Sequence, residues 1–267
     1  MGNSKSSTEI LQHKLETSKK TGILNLASSG LKPSSKVWRS LGDIGIKIRS
    51  LDISENPLKA IPDEIQTLVN LKTFTASHCH LQKGSIKFDV FVHLQQVDLS
   101  HNELEVDVAV TFPISLLKLN LSFNRFSGVP SFISHLANLT EINLSSNRIE
   151  SMVGIGALTS LTILLLDDNL IVEIPNEASN LKKLKKISLK NNRIGKKSIT
   201  SPNEQSISES FFTETPVDSI DLTGNPLKNT EINQFRGLEV FYERNKLVKE
   251  KALQGGALLD FSVFGLT

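Results

Sequence analysis

One pattern of apolar residues recurs nine times along this chain, and it limits the possible folds more than any other feature. Each copy has an anchor residue, usually asparagine, with apolar residues eight, five and three positions before it and two after it. Nine copies with four slots each make 36 slots, of which 35 are apolar and Thr21 is the exception. The slots five and three positions before the anchor have the period of two of a β-strand, so the pattern predicts one short strand per repeat. The anchors are Ser29, Asn56, Cys79, Asn102, Asn124, Asn147, Asn169, Asn192 and Asn225.

From residue 56 onward the anchors are 22 or 23 residues apart, except for one interval of 33 residues. This spacing and pattern resemble the leucine-rich repeat superfamily, whose signature L-x-x-L-x-L-x-x-N/C-x-L has a period of 20–29 residues. Cys79 fits the alternative that the signature allows at the anchor. The resemblance implies an α/β fold, a leucine-rich repeat solenoid curved like a horseshoe, with a parallel sheet on its concave face.

Two further residue types predict the local course of the chain within a repeat. The anchor asparagine is expected to turn the chain out of the strand and to hydrogen-bond the backbone of neighbouring repeats through its buried amide. Proline follows the anchor by six positions at Pro62, Pro130 and Pro175. A residue without a backbone donor at that point predicts a short helical turn or an extended arc.

The ends of the repeat array carry signals for capping helices. Ser6 and Glu9 have the spacing of a capping box, and Gly22 predicts the end of the helix that follows. Apolar residues at three- and four-residue steps, beginning at Ile232, predict a second amphipathic helix. The predicted organisation is a myristoylation motif and capping helix at 1–22, a repeat array at 23–230 with an inserted loop near 195–215, a C-terminal capping helix at 231–254 and a tail at 255–267.

Composition and charge favour a cytoplasmic protein. Thirty Lys and Arg against 28 Asp and Glu leave a net charge of +2, so charge alone does not indicate nucleic acid as a partner. The single Cys79 cannot form an internal disulfide, which favours a reducing compartment. The sequence shows no apolar core of a secretory signal, and its longest apolar run, Leu161–Leu166, is interrupted by Thr162.

No motif of an enzyme is found in the sequence. There is no G-x-S-x-G, P-loop or H-E-x-x-H motif, and no G-x-G-x-x-G after a strand. His78, Cys79, His80 and His101 suggest a metal site, but the anchor slot directs Cys79 inward while its two neighbours point elsewhere, so three ligands do not converge. We expect no catalytic activity, no metal, no cofactor and no small-molecule substrate.

The first six residues fit the N-myristoylation pattern M-G-x-x-x-[ST], with Gly2 as the acceptor once Met1 is removed. Glycine is required because the acyl group is attached to its α-amine and no side chain crowds that atom. One myristoyl chain gives only marginal and reversible membrane binding. Lys5, Lys14 and neighbouring lysines add some attraction to anionic lipid.

A narrower resemblance rests on the two ends of the chain. Met1–Ser4, the stretch His13–Gly22, and Phe235, Leu238 and Tyr242–Arg244 resemble the family of small cytoplasmic repeat proteins represented by leucine-rich repeat-containing protein 57. The resemblance implies an N-myristoylated, membrane-associated protein without catalytic activity. The 195–215 insertion and the residues after Lys251 depart from that pattern.

Residues between the buried strand slots are expected to face the concave side and to form a broad, shallow platform for another protein. Most are small and polar, but Ile163 and Leu165 are apolar. Two interpretations remain open: loops or the tail cover this pair, or the pair is a hot spot for a partner. The predicted partner-binding residues are Asp98, Asn120, Asn143, Ile163, Leu165, Asp167, Lys186 and Lys190.

A run of eight cations between Lys182 and Lys197 has several interpretations. A charge run is usually a solvated face. The alternatives are contact with an acidic protein or with lipid headgroups, and nucleic acid comes last because no aromatic platform accompanies the lysines.

The leading functional hypothesis is therefore a non-enzymatic scaffold or adaptor, myristoylated on Gly2 and reversibly bound to the cytoplasmic side of membranes. The alternative is a soluble regulatory subunit that wraps a catalytic partner such as a protein phosphatase.

Overall fold

The computed structural model describes residues 6–82, 85–195 and 205–254. They belong to two compact units, Met1–Asn124 and Arg125–Thr267. Three features predicted from the sequence lie outside the described residues: the lipidation site Gly2, residues 196–204 of the insertion and the tail 255–267.

The first unit opens with helix α1, Ser7–Thr21, and continues through short strands. The predicted capping box is present, because Glu9 N donates to Ser6 Oγ at 3.3 Å and Ser6 N donates to Glu9 Oε2 at 2.8 Å. Gly22 ends the helix in the left-handed conformation, with φ of 74°. The strands are β1 (Ile23–Asn25), β2 (Ser50–Asp52), β3 (Thr73–Thr75), β4 (Ser85–Lys87), β5 (Gln96–Asp98), β6 (Ala109–Thr111) and β7 (Lys118–Asn120).

Strands β1, β2, β3, β5 and β7 pair in parallel in that order, one strand per repeat as predicted. Strands β4 and β6 form a separate two-stranded parallel sheet that the repeat pattern does not predict. Both strands lie in repeats that lack a proline six positions after the anchor. Phe88 and Phe112 stack beside it, with ring centroids 5.2 Å apart and planes 3° from parallel.

The described residues of the second unit form four parallel strands that pair in chain order and three helices. Its short helical turns follow Pro130 and Pro175, and the equivalent turn of the first unit follows Pro62, as predicted. The elements are β8 (Glu141–Asn143), β9 (Ile163–Leu165), β10 (Lys186–Ser188), α2 (Glu209–Glu214), β11 (Ser219–Asp221), α3 (Asn229–Ile232) and α4 (Leu238–Gln254).

The apolar slots of the repeat form the core of each unit. All 35 apolar slot residues are buried, and in every strand of the repeat series the central residue is one of them. Burial of one aliphatic side chain contributes about 1.5–3 kcal/mol, so the slot residues of the repeat supply a large share of the folding free energy available from burial.

Anchor asparagines join each repeat to the one before it. Asn102 Oδ1 accepts from Cys79 N at 3.1 Å and from Leu81 N at 2.9 Å. Its Nδ2 lies 2.8 Å from the carbonyl of Ala76 in the preceding repeat and 3.0 Å from two carbonyls of its own repeat. The predicted role of the amide is confirmed. The same bonds recur at Asn56, Asn169, Asn192 and Asn225.

Cys79 replaces only half of this arrangement. Its thiol donates to the carbonyl of Ile53 at 3.3 Å, where an asparagine would use Nδ2. Sulfur is a weak acceptor. Leu58 N, which an asparagine Oδ1 would bind, donates instead to the backbone carbonyls of Asn56 at 2.7 Å and of Cys79 at 3.1 Å. Lys59 and His80 have positive φ values of 61° and 56° here. Each repeat has a positive φ at the residue directly before the anchor, and neither Lys59 nor His80 is at that position.

The predicted inserted loop near 195–215 is wrong for its second half. Residues 209–214 form α2, which starts at an N-cap in which Ser208 Oγ accepts from Phe211 N. Phe211 and Phe212 are fully buried. Polar composition predicted a protruding segment, but two adjacent phenylalanines pack this part of it against α4 and the turn Asn176–Asn180.

The predicted C-terminal helix at 231–254 is two helices, α3 and α4, separated at Gly237. Gly237 has φ of 81°, and a Cβ there would lie 3.0 Å from the Glu209 carbonyl oxygen. Arg244 of α4 donates to the carbonyls of Phe212 and Val217 at 2.7 Å each, which fixes α4 to the last repeat. Within the described ranges, the helices are too short or too polar to cross a membrane.

We predict that Asn102→Ala lowers the free energy of unfolding by about 3 kcal/mol, because buried N–H and carbonyl groups of two repeats lose their partner. Chemical denaturation measures the change. Asn70→Ala is the matched control: Asn70 makes one exposed bond to the Ile46 carbonyl, and we expect its loss to cost less than about 0.5 kcal/mol. Equal effects of the two variants would contradict the anchor role.

Candidate interaction surface

In the second unit, predicted partner-binding residues lie in two rows across neighbouring strands. Glu141, Ile163 and Lys186 are paired in register, and Asn143, Leu165 and Ser188 form the next row on the same face. Leu164, between the two apolar residues, is fully buried, whereas Ile163 and Leu165 are half-buried. The pair therefore lies on the solvent-facing side of the sheet, opposite the core, with one acidic and one basic residue beside Ile163.

Asp167 holds two repeats together rather than standing free on this face. Its Oδ1 accepts from Ser188 Oγ at 2.5 Å and from Lys190 N at 2.8 Å. Its own backbone N donates to Ser145 Oγ at 3.2 Å. A substitution at Asp167 would disturb the sheet as well as any surface contact.

Lys190 is paired with Asp221, Nζ to Oδ2 at 3.0 Å. The hydrogen bond and the charge of Asp221 raise the pKa of Lys190. Burial opposes ionisation of Asp221, but hydrogen bonds from Thr223 and Lys190 outweigh burial and lower the pKa of that carboxyl. The Lys190 side chain is 45% exposed, so this pair adds little to stability and remains within reach of an acidic ligand.

In the first unit, Asp98 and Asn120 are brought together on adjacent strands. Asn120 Nδ2 donates to Asp98 Oδ2 at 3.0 Å, and Ser100 N donates to Asp98 Oδ1 at 2.8 Å. Both residues are half-buried. They form a small polar site in which hydrogen bonds within the protein already use part of the capacity of Asp98 and Asn120 to bind a partner.

Three of the serines that stand two positions before an anchor do not face outward, although strict alternation along the strand predicts that they do. Ser54, Ser100 and Ser122 are 4–7% exposed. The chain leaves the strand at this point, and the hydroxyl turns to neighbouring repeats: Ser54 Oγ, for example, accepts from Ser77 N at 3.2 Å. The exposed strand face is narrower than the sequence suggested.

An aromatic column on the first unit was missed by the sequence analysis. The rings of His78, His101 and Phe123 stack in series, with centroids 4.1 Å apart at each step and planes 14° and 10° from parallel. Each residue directly precedes an anchor and has a φ of 53–54°. The signal was an aromatic residue at one slot in three successive repeats, and Phe123 is 51% exposed.

Two stretches of the chain match sequence models of leucine-rich repeats, at residues 47–68 and 92–149. Plant intracellular Ras-group-related LRR protein 8 of Oryza sativa is 34% identical over 116 residues, which are 42% of this chain and 28% of that protein. Osteomodulin of Rattus norvegicus is 31% identical over 107 residues, which are 38% of this chain and 25% of that protein. The chain spans about a quarter of the length of these relatives.

Solved structures agree with the sequence matches. An internalin of Listeria monocytogenes superposes with a TM-score of 0.55 at 18% identity, over 75% of this chain and 54% of the internalin. The leucine-rich repeat domain of a Shigella effector gives a TM-score of 0.53 at 20% identity, over 76% of this chain and 87% of that domain. Residues 47–68 and 92–149 are therefore similar to leucine-rich repeats, and the fold as a whole is similar to that of leucine-rich repeat structures. The predicted α/β fold class is confirmed, and the matched models describe a repeat rather than an enzyme.

The leucine-rich repeat geometry explains the environment of Cys79. Its anchor slot is inside the repeat, where burial raises the pKa of the thiol to about 11. His78 stacks on His101, while His80 Nδ1 lies 3.3 Å from Glu103 Oε1. Among the residues described, no three His, Cys, Asp or Glu side chains are grouped to hold a metal ion.

The histidine stack generates a prediction about pH. Burial, and then the charge of His78, lower the pKa of His101, although Asp98 opposes the shift. The unfolded chain therefore binds a proton at His101 more readily than the folded one. Protonation of His101 does not affect the free energy of unfolding well above the ordinary pKa of about 6.5, and lowers it as the pH falls below that value. We expect His78→Gln to raise the pKa of His101, measured from the imidazole signals by NMR. An unchanged His101 titration would contradict electrostatic coupling in the stack.

Proposed function

We propose that this protein is a non-enzymatic adaptor that binds another protein through the solvent-facing side of the strands in its leucine-rich repeats. The apolar pair Ile163 and Leu165 carries the proposal. Both residues are half-buried on a strand face that is otherwise polar in the second unit, and Glu141 and Lys186 flank one of them in register. An apolar centre with a charged rim is the usual composition of a protein interface.

We further propose that Gly2 is N-myristoylated and that the protein associates reversibly with the cytoplasmic side of membranes. The Met1–Ser6 motif and the resemblance of the chain ends to leucine-rich repeat-containing protein 57 support this proposal. A single myristoyl chain partitions into lipid with a constant of about 10⁴ M⁻¹, so attachment through Gly2 alone would be weak and reversible.

The lipidation proposal predicts that co-expression with an N-myristoyltransferase increases the intact mass by one myristoyl group. Mass spectrometry of the whole protein and of its N-terminal peptide measures this, and Gly2→Ala serves as the control that cannot accept the group. An unmodified Gly2 amine in protein that has lost Met1 would refute lipidation and leave the proposed protein-binding face untouched.

The binding proposal predicts that Leu165→Asp abolishes capture of a stoichiometric protein partner, because a charge then occupies the apolar centre. Val153→Asp is the matched control, since Val153 is 68% exposed and lies outside the strands. Quantitative proximity labelling from the native N-terminus, compared with a Gly2→Ala chain, gives the readout, and thermal unfolding confirms that both variants fold.

The identity of the lost partner separates the two functional hypotheses. An enzyme such as a protein phosphatase, bound in equal amounts and independently of Gly2, would favour the regulatory subunit. A partner that depends on membrane attachment would favour the adaptor. Retention of every partner by Leu165→Asp would refute the strand face as the binding surface.

A further inference from the structure

A basic pocket of about 670 Å³ lies in the first unit, where α1 ends and the first strands begin. Five of its ten lining residues are Lys or Arg and none is Asp or Glu. These five cations, which we call the basic pocket residues, are Lys19, Lys20, Lys47, Arg49 and Lys72; the others are Thr21, Gly22, Ile46, Asn70 and His93.

The repeat brings these residues together from different parts of the sequence. Gly22, Arg49 and Lys72 occupy the slot directly before successive strands. Arg49 N donates to the Gly22 carbonyl at 2.8 Å, and Lys72 N donates to the Arg49 carbonyl at 2.7 Å. Adjacent strands are about 4.8 Å apart, so Arg49 and Lys72, which directly precede two adjacent strands, lie close together. Lys20 and Lys47 occupy the slot two positions earlier in their repeats.

Fold stability does not explain this concentration of positive charge. Lys19 and Lys20 complement the negative end of the α1 dipole, and Lys19 also pairs with Glu16 at 2.7 Å. Lys47, Arg49 and Lys72 belong to other elements. In the part of the chain that the structure describes, no carboxylate pairs with any of these three. Like charges on neighbouring strands repel each other, so the cluster lowers stability unless an anion joins it.

The size and chemistry of the pocket indicate its ligand. Its volume is within the range of small-molecule sites and exceeds what a single phosphate needs. Arginine binds phosphate oxygens through two parallel hydrogen bonds, and lysine adds flexible point charges. Ile46, also on the pocket lining, is 76% exposed, and nearby Ile23 is 60% exposed. Exposed apolar residues beside a basic site are typical of surfaces that contact lipid.

We propose that the basic pocket binds the polyphosphorylated headgroup of an anionic lipid. This inference rests on the proposed membrane association and deepens it. A single myristoyl chain needs a second signal for stable attachment, and a headgroup site at the far end of α1 supplies it. Each basic residue close to an anionic surface strengthens binding by about fivefold, so five residues that converge on one site add substantially to the binding of an anionic membrane.

Vesicle sedimentation with unacylated full-length protein tests the pocket independently of Gly2. The probe is phosphatidylcholine with phosphatidylinositol bisphosphate, compared with phosphatidylserine vesicles of equal surface charge. We expect tighter binding to the bisphosphate vesicles and a loss of at least about tenfold in Arg49→Ala/Lys72→Ala. Lys183→Ala/Lys185→Ala removes the same charge from one repeat of the second unit and should leave binding nearly unchanged; Lys185 occupies the slot of Arg49 and Lys72, and Lys183 lies two positions before it.

The alternatives give distinct results. Equal binding to both kinds of anionic vesicle, or equal losses in the two double variants, would show diffuse electrostatic attraction and overturn the pocket. Binding of soluble inositol trisphosphate without vesicle binding would overturn the lipid source of the phosphate. Failure of the pocket leaves lipidation intact if myristoylated protein still binds neutral vesicles, whereas an unmodified Gly2 with normal headgroup binding would refute only the lipid anchor.

Discussion

The buried amide of the anchor asparagine is the interaction on which each unit depends. A strand of three residues makes too few hydrogen bonds to be stable alone. The anchor adds hydrogen bonds beyond the strand, because its one side chain accepts from N–H groups of the preceding repeat and donates to carbonyls of both repeats. Cys79 shows which part of this set is hardest to replace. The thiol still donates, but its missing acceptor is supplied by the backbone only where Lys59 and His80 adopt left-handed conformations.

The turn into the anchor also creates a fixed surface position. The residue before each anchor has positive φ in all nine repeats, and only Gly224 among them is a glycine. The left-handed conformation costs roughly 1–2 kcal/mol for other residues, and the hydrogen bonds of the anchor hold the chain there against that cost. Since consecutive repeats superimpose this position, its side chains form a column. His78, His101 and Phe123 use it to stack their rings at intervals of 4.1 Å.

The repeat pattern was sufficient to predict the core, because every apolar slot faces the same environment in each rung. Departures from the repeat were not predictable by the same logic. Polar composition around residues 195–215 hid a short helix whose stability comes from Phe211 and Phe212, and composition averages do not register two adjacent residues. The prediction that the serines after the strands face outward was wrong for Ser54, Ser100 and Ser122, because strict alternation ends where the backbone turns. For the site, sequence alone identified Ile163 and Leu165 as outward-facing, but it could not show that Asp167 and Lys190 are already bonded within the sheet.

Repetition also separates two kinds of surface. A residue type repeated at one slot over consecutive rungs makes a continuous stripe, and the Arg49 and Lys72 slot does this at the start of the first unit. The same slot holds Thr140 and Thr162 in the first repeats of the second unit, so the stripe is not a requirement of the fold. In the second unit, Ile163 and Leu165 instead interrupt the polar strand face in a single repeat. A stripe of like charge suits a ligand that is itself charge-dense, such as a phosphorylated lipid headgroup, whereas one apolar rung suits a partner that docks in one register. The two surfaces therefore place different demands on binding, and a substitution at either one leaves the anchors, and thus the fold, in place.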